Sequence, residues 1–262
     1  MIFQILHAHH GLFCAEHAVV PSSNFDQSLL QSFDRLLERG AFLRTDGTNF
    51  RRCNIFSRKQ KTALALKLAY CLSGFANSEA VQPSWDGKKV FIVNRQATTD
   101  LSGSVPYISF TPAKGDQTAQ PLLYGIEFAH PVLLSFAKLL LELESGERID
   151  LTECQNHPIQ QWGVLSERAW KAEVSGSGLY AEAVKGCLNL HMHYHVRVAS
   201  DDQDPRIALG QTIEEQIVKQ LEEAANPATA ASRKRRPGDL GDQRGSKRRL
   251  QTAGPPSSQT IK

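Results

Sequence analysis

Apolar residues recur at helical spacing from Asn24 to Arg39, where Phe25, Leu29, Leu30, Phe33, Leu36 and Leu37 share one face and Gly40 supplies a stop. Ser57 is placed to cap a second helix, Lys59 to Ser73. Its stripe is Leu64, Leu68, Cys71, Leu72 and Phe75, with Ala65 and Ala69 beside it, and Gly74 is the expected terminator. Lys89–Val93 and Tyr107–Phe110 are short apolar runs flanked by turn residues, which predicts two strands. Pro131 stands where a first-turn proline belongs. Val132 to Leu143 is apolar nearly all round, so the spacing predicts a helix inside the domain, ended by Gly146. Ser166 is read as the cap of a short helix through Val174, and Ser175–Gly178 as a hinge-like loop. Tyr180 to Leu190 predicts a helix with Ala183, Val184, Cys187 and Leu188 facing inward. Thr212–Glu215 matches a capping box and opens a last helix striped by Ile213, Ile217, Leu221 and Ala224.

These elements define a mostly α fold class with a few short strands, spread over residues 25–225. Residues 1–24 carry no pattern that assigns structure, and from Asn226 the periodicity gives way to Pro, Ala, Ser, Gly, Arg and Lys, so 226–262 is expected to be a disordered tail. At 262 residues and 41% hydrophobic, the chain supports one sizeable core with appendages, or at most two small domains. Five cysteines lie far apart, with no C-x-x-C pair, which excludes a disulfide framework and a zinc ribbon and fits a reducing compartment. His7, His9, His10, Glu16 and His17 interrupt the apolar start, so it makes a poor signal peptide. No apolar stretch is long enough for a membrane span, and no membrane partner is expected.

The net charge of +3 hides a division. Residues 226–262 hold nine Lys or Arg and two acids, or +7, which leaves −4 on the rest. The basic residues form two clusters, Arg233, Lys234, Arg235 and Arg236, then Lys247, Arg248 and Arg249, separated by ten residues. Two basic clusters at this spacing resemble a bipartite nuclear-import signal, whose spacer only has to reach between two acidic grooves of an import receptor. The plainer alternative is a generic basic tail that keeps the chain soluble or touches RNA or acidic lipids. Nuclear localisation is the expectation, with cytoplasmic as the alternative.

The helix running through Ser135-Phe136-Ala137, Glu142-Leu143 and Gly146 resembles the central helix of a protein kinase C-terminal lobe. The order of an alanine- and leucine-rich helix (58–74), Trp85 before a strand, Tyr107–Phe110, this helix, and the run from Tyr180 to Leu188 is similar to a fungal kinase-like domain of unknown function, over roughly residues 25–225. The resemblance implies that helix 58–74 stands where a kinase places helix E and helix 131–145 where it places helix F. It puts the catalytic loop between Gly74 and Val93, where Asp86 has no His-Arg before it and Phe91 occupies the metal-binding asparagine position. Asp100-Leu101-Ser102 is nearest to a DFG, with Gly103 one place late, and Val132 replaces the aspartate that opens helix F. The residues before 58 are too few for a kinase N-terminal lobe. Because phosphoryl transfer depends on metal, lysine and carboxylate together, the resemblance implies a degenerate, non-catalytic member.

Other constellations have plainer readings. His191, His193 and His195 would share one face on a strand and could hold zinc or copper; as a polar stretch after a helix they hold nothing. Ser175–Gly178 lacks the strand and lysine of a phosphate loop. Cys71 and Cys187 are expected to be small buried apolar groups. Glu142 and Glu144 point apart on a helix, and Glu142 is expected to grip backbone or an arginine. The expected function is a non-catalytic kinase-like scaffold or signalling interaction module, without enzyme activity, cofactor or metal, whose protein partners are unspecified apart from an import receptor at the tail. The alternatives are an atypical kinase or nucleotide binder using Asp86 and Asp100, and a nucleic-acid-associated protein acting through its tail.

Overall fold

The computed structural model describes residues 2–4, 30–43, 56–76, 85–93, 105–109, 127–176, 178–201 and 204–226. All lie within residues 1–227, one of two compact units; the other is 228–262. The described part is mostly helical with few short strands.

Four strands form an antiparallel sheet in the order β1 (Ile2–Gln4), β4 (Val105–Ser109), β3 (Val90–Val93), β2 (Leu30–Ser32). Leu30 pairs with Val93, and Ser32 with Phe91. This corrects the helix expected from Asn24 to Arg39: residues 30–32 are an edge strand, and residues 24–29 lie outside the described residues. The helix is only α1, Phe33–Glu38, capped by Ser32, whose Oγ accepts from Arg35 N. Pairing with β3 holds residues 30–32 extended, and tertiary pairing of this kind overrides a local helical stripe. Gly40 does end the helix, in the left-handed region at φ +71°. Phe33, Phe42 and Phe56 then stack in series, with ring centroids 5.1 and 4.8 Å apart.

Helix α2 (Arg58–Ala76) opens with a reciprocal cap. Gln60 N donates to Ser57 Oγ at 3.4 Å, and Ser57 N donates to Gln60 Oε1 at 2.8 Å. It runs through Gly74, which is not the expected terminator. A glycine costs a helix about 1 kcal/mol, and burial of the stripe Leu64, Leu68, Cys71 and Leu72 outweighs that.

Helix α3 (Pro131–Ser145) is the centre of the core, as its all-round apolar pattern predicts. Leu139, Leu140 and Leu143 are fully buried, and Phe136 meets the edge of Trp85 at 4.7 Å between centroids. Pro131 occupies the first turn, and Gly146 (φ +74°) closes the helix with its N–H on the Glu142 carbonyl. A side chain at Gly146 would collide with the Phe42 backbone, at 2.5 Å, so this stop also sets how closely the 41–43 turn approaches.

A 3₁₀ turn (Thr152–Cys154) leads into α4 (Pro158–Val174), α5 (Gly178–Leu188), α6 (Leu190–Asp201) and α7 (Pro205–Ile213). Two expectations are corrected here. Ser166 is not a cap: α4 begins eight residues earlier, at Pro158 in its first turn. The histidine run follows a helix and is itself part of one, α6, rather than a strand on which three imidazoles would share a face. Thr212 does not open the last helix. It is buried inside α7, its Oγ1 donating to the Ala208 carbonyl at 2.6 Å, and the cap is Asp204, which accepts from Arg206 N. A Thr-x-x-Glu pattern within a helix satisfies the same local rule when the hydroxyl bonds backward instead of forward. A π-helical segment (Glu214–Val218) joins α7 to α8 (Lys219–Ala225). It packs against α5 at Gly186, where an added Cβ would lie 2.1 Å from the Gln216 carbonyl oxygen.

Candidate functional site

The two basic clusters, Arg233–Arg236 and Lys247–Arg249, lie outside the described residues, as do Asp100, Leu101, Ser102 and Gly103. Asp86 is exposed in the turn before β3. Its Oδ1 accepts from Lys88 N at 3.1 Å and its carbonyl from Lys89 N at 2.8 Å, so the carboxylate holds a turn. Phe91 is in β3 beside Tyr107, and Val132 is in the first turn of α3.

Glu142 does what its position suggests. It is 1% exposed, and its Oε1 accepts from Ile149 N at 2.8 Å and from Lys138 Nζ at 2.7 Å. The carboxylate thus pins the chain leaving α3, although its cation is a lysine and not an arginine. Burial raises its pKa, against the lowering effect of Lys138 and the Ile149 N–H. A second link across this region joins Arg148 to Asp34, and Asp34 N in turn donates to the Gly87 carbonyl. Cys71 and Cys187 are buried, and burial pushes both thiols up, which keeps them protonated.

On α6, His191 and His195 are one turn apart and His193 points elsewhere. His191 packs edge-on against Phe128 at 5.3 Å, and partial burial lowers its pKa, with His195 and His193 adding to the effect. Among the described residues, no group of three or more His, Cys, Asp or Glu side chains is placed to hold a metal ion. No helix among them is long and apolar enough to cross a membrane.

An open cleft of about 740 Å³ lies where α6, α7 and the π segment meet. Arg197 spans it, donating to Gln211 Oε1 at 2.8 Å and to Glu215 Oε2 at 2.5 Å. Glu214 lines the same cleft, with its pKa raised by burial and by Glu222 and lowered by Lys219. Glu222 accepts from the Tyr70 hydroxyl at 2.5 Å. Arg197 and Tyr70 thereby latch α6 to the π segment and α2 to α8, and π segments recur at functional sites.

The more pronounced surface feature is the outer face of α4, of which the residue pattern read only the part from Ser166 to Val174 as helix. Leu165 and Ala169 are buried on its inner side, and Trp162 anchors there through Nε1–H to the Leu188 carbonyl at 3.1 Å. On the opposite side Ile159 is 68% exposed, Trp170 59% and Val174 70%, with Gly163 in the same strip and Val164 on its flank. Scattered exposed apolar residues are ordinary, but a tryptophan and two aliphatics in one line on one helix are the composition of a contact surface. The signal was present in the spacing of Ile159, Trp170 and Val174, once Pro158 is taken as the helix start.

A mainly helical domain with a small antiparallel sheet and, among the described residues, an exposed apolar face on α4 is the class these observations define. A family model described as a domain of unknown function, DUF7580, matches residues 1–228, and the chain belongs to that family. No curated protein matches the chain. No solved structure matches it either.

Proposed function

We propose that this domain is a non-catalytic scaffold or signalling interaction module with a kinase-like arrangement, directed to the nucleus by its tail. The observation that carries the reading is the outer face of α4, where Trp170 is 59% exposed between Ile159 and Val174. Tryptophan is the side chain most enriched at binding hot spots because it buries a large rigid surface at low entropic cost. The kinase-like element rests on the order of a long helix, Trp85 with its strand, and a buried central helix closed by Gly146. Asp86, the one aspartate between Gly74 and Val93, spends its carboxylate on a turn. The basic clusters at 233–236 and 247–249 support the nuclear assignment by their charge and spacing alone.

The test uses the full chain with a photo-crosslinking residue at position 170, irradiated in cell extract, beside a thermal melt with magnesium and ATP. Discrete protein adducts that excess unlabelled domain removes, with an unmoved melting temperature, are the expected result. A melting temperature that rises with magnesium–ATP, in the absence of adducts, would overturn the reading in favour of a nucleotide-binding enzyme. Salt-sensitive RNA or DNA binding lost on removing 226–262, again without adducts, would assign the chain to nucleic acid instead.

A further inference from the structure

The exposed strip of α4 is palindromic in its spacing. Ile159 and Gly163 are four residues apart, Gly163 and Trp170 seven, and Trp170 and Val174 four. The strip therefore reads the same from either end about a centre between residues 166 and 167, with a large apolar group at each outer position and one glycine opposite one tryptophan. A helix rises about 1.5 Å per residue, so Gly163 and Trp170 stand about 10 Å apart along the axis. A Cβ built at Gly163 would meet nothing within 4 Å, which leaves an open hollow in the strip.

We propose that the occupant of this face is a second copy of the chain, its α4 antiparallel to the first across a two-fold axis. This rests on the interaction-module reading and names its partner. In an isologous contact residue i meets j and j meets i. Here each Trp170 would lie over the other copy's Gly163, and each Ile159 would face the other's Val174. At helix separations of about 8–10 Å the hollow left by a glycine admits an indole, where a larger residue would hold the helices apart. The charges agree with this pairing. The strip and its two edges carry Glu167 with Lys171, joined at 2.6 Å, and Glu173, joined to Lys185 at 2.8 Å, so each acid already has its base. Two such faces meet with equal numbers of each sign and no net repulsion. The apolar area on three side chains is well below the roughly 800 Å² per partner of a standard interface, so the pair is a weak, reversible one.

Sedimentation of the full chain over a concentration series tests this, together with Trp170→Ala and Gly163→Leu. The first removes the knob and the second fills the hollow, and neither side chain supports the fold. Both variants should weaken self-association at least tenfold, with Trp170→Ala melting like the parent and Gly163→Leu no lower than it, since leucine favours the helix over glycine. A photo-crosslinker at Val174, in a mixture of isotopically labelled and unlabelled chains, should give between-chain adducts near Ile159. A chain that stays monomeric at every concentration, or a dimer that both variants leave intact, overturns the proposal. So do adducts confined within one chain, which would mean that another segment of the same chain covers the face. If the only adducts in cell extract are to a different protein, the second copy is refuted and the interaction-module reading stands; if extract yields none at position 170, that reading falls as well.

Discussion

Gly186→Ala and Gly163→Ala make the same chemical change in two helices and are expected to act in opposite directions. At Gly186 the new methyl would sit 2.1 Å from the Gln216 carbonyl oxygen and 2.8 Å from its carbon. Ordinary contact is roughly 3.5 Å, so α5 and the π segment would have to part by more than an ångström. The obstacle is backbone and has no rotamer to change. Overpacking of this kind costs roughly 1–3 kcal/mol, and a rigid obstacle belongs at the upper end. The helix preference of alanine over glycine returns about 1 kcal/mol, leaving a net loss of about 2 kcal/mol. At Gly163 the methyl meets nothing, so only the propensity gain of about 1 kcal/mol remains. For a domain of this size roughly 2–4 °C accompanies each kcal/mol. Gly186→Ala should thus lower the melting temperature by about 4–8 °C, and Gly163→Ala should raise it by about 2–4 °C. Circular-dichroism melts and urea titrations at low micromolar protein measure both. A Gly186→Ala variant as stable as the parent would refute the close approach of α5 to the π segment.

Leu140→Asp places a charge with no partner in the fully buried centre of α3 and should cost several kcal/mol, enough that the variant is largely unfolded by near-ultraviolet circular dichroism; a native spectrum would put α3 on the surface. Glu142→Ala strands the buried Ile149 N–H and should cost about 1–3 kcal/mol in urea titration, while Glu142→Gln, which keeps an acceptor, should cost less. Because burial raises the Glu142 pKa, the stability this group contributes is complete below the ordinary glutamate value of about 4.3 and is lost as pH rises through the folded value. The penalty of Glu142→Gln relative to the parent should therefore be larger near pH 4 than at neutrality, and the reverse trend would mean that Lys138 and the Ile149 N–H outweigh burial. A reporter fused to residues 226–262 should accumulate in the nucleus, less so when Lys247, Arg248 and Arg249 become alanine, and not at all when Arg233–Arg236 are changed too; an evenly distributed reporter would remove the import assignment.

Elements whose signals are local were legible from the residues alone. The all-round apolar run from Val132 to Leu143, bounded by Pro131 and Gly146, permits only a buried helix, and that helix is the centre of the core. Ser57 caps α2, Cys71 and Cys187 are buried, and Glu142 grips backbone, because each depends on a few neighbours at fixed offsets. Elements chosen by distant partners were not legible. Leu30–Ser32 carries a helical stripe but pairs with Phe91–Val93, some sixty residues away. Thr212 and Ser166 satisfy helix-start rules that tertiary packing overrode, since α7 and α4 already begin at Pro205 and Pro158. The face of α4 could not be assigned before its helix was whole, because which residues point outward depends on where Leu165 and Ala169 are buried. Local chemistry sets a helix's ends and its apolar strip, whereas the packing of every other element decides which strip is left without a partner.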